Sequence, residues 1–111
     1  MAKKVYIATP VNARKEATLE EKRQAAWHRV AILVRECAGE FPDAEFHSAF
    51  DNDIAPLWKP APSEAVIMGK CVQRVMECDM VIMDKGWNES RGCGIEYRVA
   101  YDYDKEIYKV K

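Results

Sequence analysis

Short apolar runs alternate along this chain with longer stretches whose apolar residues recur at helical spacing. Residues 4–8 read as a buried strand that Pro10 ends, because proline cannot donate to a central ladder. Thr18 and Glu21 match a capping box. The helix behind them carries Trp27, Val30, Ala31, Val34 and Cys37 at helical spacing, and Gly39 suits its C-terminal position. Residues 44–49 form a short second strand. Ser63 caps a second helix whose apolar face is Ile67, Met68, Cys71, Val72, Val75 and Met76. Residues 80–83 read as a third strand, 92–103 as a third helix and 107–110 as a final strand. Residues 50–62 are irregular, with Asp51, Asn52, Asp53, Trp58 and three prolines. A connection of that length in a small domain is commonly functional or mobile.

Strands alternating with helices imply a parallel α/β sheet covered on both faces. Right-handed crossovers favour a flavodoxin-like strand order, 2-1-3-4. The first and third strands are then neighbours at the switch point, beyond whose carboxyl ends such sheets bind ligands. Two segments meet there. One is 8–14, with Ala8, Pro10 and Arg14; the other is 84–96, which contains Ser90-Arg91-Gly92-Cys93-Gly94-Ile95-Glu96.

Composition narrows the classes. A chain of 111 residues with 49% hydrophobic content fits one domain, 1–111. Net charge is −1, from 17 basic and 18 acidic residues, and no basic arm suits a nucleic-acid polymer. No apolar run reaches membrane-spanning length, and Met1-Ala2-Lys3-Lys4 leads straight into a strand without a signal-peptide core. The expectation is a cytoplasmic protein with no membrane partner. Cys37, Cys71, Cys78 and Cys93 form no C-x-x-C pair and have no nearby histidine, so no metal site and no cofactor are expected. Cys71 and Cys78 share a helix face and read as core. Cys93 lies within the glycine turn, where greater exposure is expected; a nucleophilic role for it needs a base that the sequence does not identify.

The stretch from Ser90 to Glu96 carries the densest chemistry. A Gly92-x-Gly94 turn lets backbone amides approach a ligand, and a helix N-terminus favours phosphate. Ser90 adds a hydroxyl and Arg91 a charge. Glu96, expected in the first helical turn, has two readings: a residue complementing the helix dipole, or a carboxylate facing the ligand. Arg14 is a phosphate contact or a surface charge. Trp87 and Trp58 can stack on a base, whereas Trp27 reads as structural. Tyr6 is a buried strand residue or a positioning hydroxyl. Asp51, Asp53 and Asp84 are candidates for a second acid, and each also fits as a loop or capping residue. Asp79 fits a turn, and His28 and His47 read as structural or surface.

Val5-Tyr6-Ile7-Ala8-Thr9-Pro10, Cys78-Asp79-Met80-Val81-Ile82, Gly86-Trp87-Asn88-Glu89-Ser90-Arg91-Gly92, and Glu96-Tyr97 with Ala100 together resemble the nucleoside 2-deoxyribosyltransferase-like superfamily, in particular its small bacterial and phage members. Ser90-x-Gly92-x-Gly94-x-Glu96 is also similar to the 2'-deoxynucleoside 5'-phosphate N-hydrolases. The resemblance implies cleavage or transfer at the N-glycosidic bond of a nucleoside or nucleotide. It implies Glu96 as nucleophile, Tyr6 as its orienting partner, and Ser90 with the turn amides as a 5'-phosphate cradle. It also implies homo-oligomers. The superfamily's helper acid on the second helix falls at Cys71, and a thiol does not replace a carboxylate in protonating a base. A non-catalytic nucleotide-binding module is therefore the alternative reading.

Overall fold

The computed structural model describes residues 3–11, 18–58 and 63–110. Strands β1 (Lys3–Ala8), β2 (Ala44–Ser48), β3 (Met80–Met83) and β4 (Glu106–Lys109) form a sheet in the order β2-β1-β3-β4. The pairings are parallel, and Tyr6 in the centre of β1 lies opposite His47 on one side and Val81 on the other. This is the expected 2-1-3-4 order. β4 begins one residue earlier than the apolar pattern suggests, at Glu106.

Alternation along β1 divides the core in two. Tyr6 and Ala8 pack with Ile67, Cys71 and Val75 of α2 (Glu64–Glu77) and with Cys93 and Ala100 of α3 (Arg91–Asp102). Val5 and Ile7 pack with Ala26, Val30, Leu33 and Cys37 of α1 (Leu19–Ala38). One helix thus covers one face and two cover the other. β1 and β3 are buried on both faces, as a central parallel strand must be.

The helix starts follow their capping residues. The Thr18 side chain accepts from the Glu21 amide at 3.1 Å, while Glu21 accepts from the Thr18 amide at 3.3 Å. Ser63 caps α2 through the Val66 amide. Gly39 does end α1, but in a right-handed conformation, so it is not acting as a left-handed cap. The α1 stripe differs from expectation. Trp27 is 53% exposed and Ala31 is exposed, while Arg23, Ala26 and Leu33 turn inward. Arg23 tolerates burial because Glu20 pairs with its guanidinium from the preceding turn.

Past the strand ends, the Asp84 amide donates to the Ala8 carbonyl at 2.9 Å and extends the β1–β3 ladder. The chain then turns at Gly86, whose φ of 82° is readily open only to glycine. Arg29 of α1 reaches across and binds both oxygens of buried Asp84 at 3.0–3.2 Å, fixing the start of this loop. Among the described residues no helix is long and apolar enough to cross a membrane.

Candidate functional site

A cavity of about 300 Å³ opens beyond the carboxyl ends of β1 and β2 and against the start of α3, the helix that follows β3. It draws residues from both sides of the sheet: Ile7 and Val30 from the α1 side, Ile67, Met68 and Cys71 from the α2 side. The cavity therefore sits over the sheet edge, at the switch point. Its size lies at the lower end of small-molecule sites.

Tyr6 and Glu96 line its floor. Tyr6 comes from the centre of β1 and Glu96 from the second turn of α3, and the Tyr6 hydroxyl donates to Glu96 Oε2. Glu96 is 5% exposed. Burial pushes its carboxyl up to about 7, and the Tyr6 hydrogen bond partly opposes this. These facts displace the dipole reading. A dipole effect fades after the first turn and favours the charged carboxylate, whereas Glu96 lies further in and is biased towards its neutral form.

The groups around this pair are held protonated. Burial, with the charge of Glu96 next in importance, raises the Tyr6 phenol well above its usual range and pushes the Cys71 and Cys93 thiols up to about 12. Neither thiol is a nucleophile near neutral pH. Cys93 is also buried, contrary to the expectation of exposure. The reason is local: Ser90 is the N-cap of α3, its hydroxyl accepting from the Cys93 amide at 3.3 Å, so Gly92 and Gly94 are helical residues and no glycine turn exists. A Cβ on Gly92 would meet Met68 Sδ at 3.6 Å, an ordinary contact with α2.

The walls come from three segments. Phe50 and Trp58 line one side, stacked with ring centroids 5.6 Å apart. The Trp58 indole donates to the Ala49 carbonyl at 3.1 Å. Their loop is tied to α2 by Arg74, which pairs with Asp51 and Asp53; Asp51 also accepts from the Ser48 amide at 3.0 Å and contacts His47 at 2.9 Å. The rim joins the starts of α2 and α3, where Glu64 and Arg91 lie 3.6 Å apart and both are largely exposed.

Residues 3–109 match the family described as a domain of unknown function, DUF4406. The chain belongs to this family. Its fold is nucleoside 2-deoxyribosyltransferase-like: a 2-desoxiribosyltransferase from Leishmania mexicana superposes with a TM-score of 0.60 at 20% sequence identity. The superposition covers 96% of this chain and 63% of that one, so the chain spans less than two thirds of the length of the solved relative. No curated protein matches.

In this DUF4406 chain the residues singled out from sequence divide into two groups. Tyr6, Ser90, Gly92 and Glu96 line the cavity together with Trp58. Ala8 is buried in the core beside it, and Pro10 packs near the Gly86 turn. Gly94 lies within α3 without lining the cavity. Trp87 stacks on Tyr97 at 4.4 Å beneath the Lys109 ammonium, away from the cavity. Arg14 lies outside the described residues. Asp51, Asp53 and Asp84 are all engaged by arginines and none lines the cavity. Sequence reasoning missed Thr9, Phe50 and Glu64 as lining residues. The only signals were their places: Thr9 just after the first strand, Glu64 just after the Ser63 cap, and Phe50 at the head of the irregular loop.

Proposed function

We propose that the cavity binds a nucleoside or nucleotide and that Glu96 acts on its N-glycosidic bond. The observation that carries this reading is the buried Tyr6–Glu96 pair on the floor of a cavity at the switch point. Ionised Glu96 attacks the anomeric carbon, and the bonding pair of the C–N bond leaves with the base. Water or an acceptor base then attacks the glycosyl ester and releases Glu96. Hydrolase and transferase share the first step and differ only in the second acceptor. Tyr6 orients the carboxylate and opposes part of the rise that burial causes. Phe50 and Trp58 offer an aromatic face to the base.

Ser90, Arg91 and Gly92 stand at the N-terminus of α3 on the rim, where amides of the first turn have no intrahelical acceptor. They suit the sugar's 5'-end, with or without phosphate. In the same reading the protein is a cytoplasmic homo-oligomer, and the exposed Tyr101 and Tyr103 are available for a neighbouring copy.

Cys71 favours a second reading, a binding module without turnover. It lines the cavity beside Tyr6 as a neutral thiol with little capacity to protonate a leaving base. Nucleoside binding and base release by Glu96→Ala separate the two. The enzymatic reading expects binding kept and release lost relative to the native chain; the module reading expects no release from either.

A further inference from the structure

We infer that Thr9 is a ligand-contacting residue whose hydroxyl bonds a hydroxyl of the ligand's sugar and sets which sugars the cavity accepts. The inference rests on the nucleoside reading above and names a contact that reading does not supply. Thr9 follows directly on Ala8, the last residue of β1, and lines the cavity near the strand that carries Tyr6. Its Oγ1 is buried, yet it is the buried side-chain polar atom with no hydrogen-bond partner among the described residues. Buried hydroxyls are nearly always paired, and one left unpaired carries an uncompensated desolvation cost.

Among the described residues, the other polar side chains of the cavity each have a partner. Tyr6 bonds Glu96, Ser90 accepts from the Cys93 amide, and Glu64 faces Arg91. Thr9 itself is only partly buried, so rotation of its side chain turns this unused donor and acceptor from their closed position into the cavity. A hydroxyl carries no charge and both donates and accepts, so its natural match is an alcohol. An anionic group is better served on the rim by Arg91 and the start of α3. A base is better served by the rings of Phe50 and Trp58. What remains is the sugar, which the Tyr6–Glu96 pair holds by its anomeric carbon at the same end of β1.

The test uses Thr9→Val, which keeps the shape and removes the hydroxyl, and Thr9→Ser, which keeps the hydroxyl. Thermal unfolding of the unliganded chain comes first: Thr9→Val is expected to melt at or above the native temperature. A clear drop would mean the hydroxyl has a partner in the protein, and would overturn the inference alone. Calorimetric titration follows with the four common 2'-deoxynucleosides and with their 3'-deoxy and 5'-deoxy counterparts. In the native chain and Thr9→Ser, removing one particular sugar hydroxyl should weaken binding about tenfold. In Thr9→Val the same removal should cost nothing. Equal losses in Thr9→Val and native protein would overturn the sugar contact. Failure of the native chain to bind any of these compounds, or the 5'-monophosphates of the four 2'-deoxynucleosides, would overturn the nucleoside or nucleotide reading itself, and the sugar contact with it.

Discussion

The Tyr6 hydroxyl donates to Glu96 across 90 positions of sequence, joining the central strand to the second turn of α3. This bond opposes the effect of burial on the carboxylate. Removing it in Tyr6→Phe leaves burial unopposed, so the Glu96 carboxyl rises further above 7. A nucleophile must be ionised, so base release at pH 7 should fall by about tenfold for each unit of rise. The pH–rate profile is the check: the acidic limb should move to higher pH while the plateau is approached again in alkaline buffer. A uniform loss at every pH would show that the Tyr6 hydroxyl does not act on the protonation of Glu96.

The same carboxylate makes stability depend on pH. Its folded value of about 7 lies above its ordinary value of 4.5, so the folded state holds the proton more tightly than the unfolded chain. The contribution is complete below about pH 4.5 and is lost as pH rises through about 7. The shift corresponds to about 3 kcal/mol. Glu96→Gln carries no charge and still offers Tyr6 an acceptor. Urea unfolding should find Glu96→Gln more stable than native protein at pH 8 by about that amount, with the gap closing towards pH 4.5. An unchanged gap across this window would place the carboxylate in contact with water.

Arg74 holds the wall of the cavity from behind. It pairs with Asp51 and Asp53 at the head of the loop that presents Phe50 and Trp58. The Arg74–Asp51 pair is mostly buried, with 18% and 16% of the side chains exposed, so it ranks between a surface and a core pair. Arg74→Ala should cost about 2 kcal/mol in chemical unfolding. Nucleoside affinity should fall as well, because the stacked wall loses its anchor. Unfolding and titration of one variant report both effects.

Cys71 occupies the place where the superfamily resemblance puts a helper acid. If protonation of the leaving base limits turnover, Cys71→Asp should raise base release by about 100-fold. A second carboxylate beside buried Glu96 should also destabilise the fold and raise one of the two acids further. Cys71→Asn serves as the control for size and polarity. Equal rates in the Asp and Asn variants would show that the proton comes from elsewhere.

Strand order was legible because a central parallel strand is apolar on both faces, as Val5 to Ala8 and Met80 to Met83 are. The face of α1 was less so. Trp27, Val30, Ala31 and Val34 share a helical spacing with one another, but so do Ala26, Val30, Leu33 and Cys37, and only the sheet decides which set turns inward. Burial of Arg23 is invisible without its Glu20 partner. The third helix was legible from residue 92, but its glycines suggested an opening turn with an exposed Cys93, whereas Ser90 caps at the Cys93 amide and makes them regular, packed helical residues. Glu96 was legible as a residue of interest, but its geometry was not. The contact with Tyr6, the clasp of Arg29 on Asp84 and the unpaired hydroxyl of Thr9 all depend on segments distant in sequence.

The most direct test of the account is release of free base, followed by chromatography, from a panel of 2'-deoxynucleosides and their 5'-monophosphates. Native protein should release base from at least one of them, and Glu96→Gln should bind that compound while releasing none. Base release by Glu96→Gln at the native rate, or its absence from native protein with every compound, would contradict Glu96 as the nucleophile of an N-glycosidic reaction.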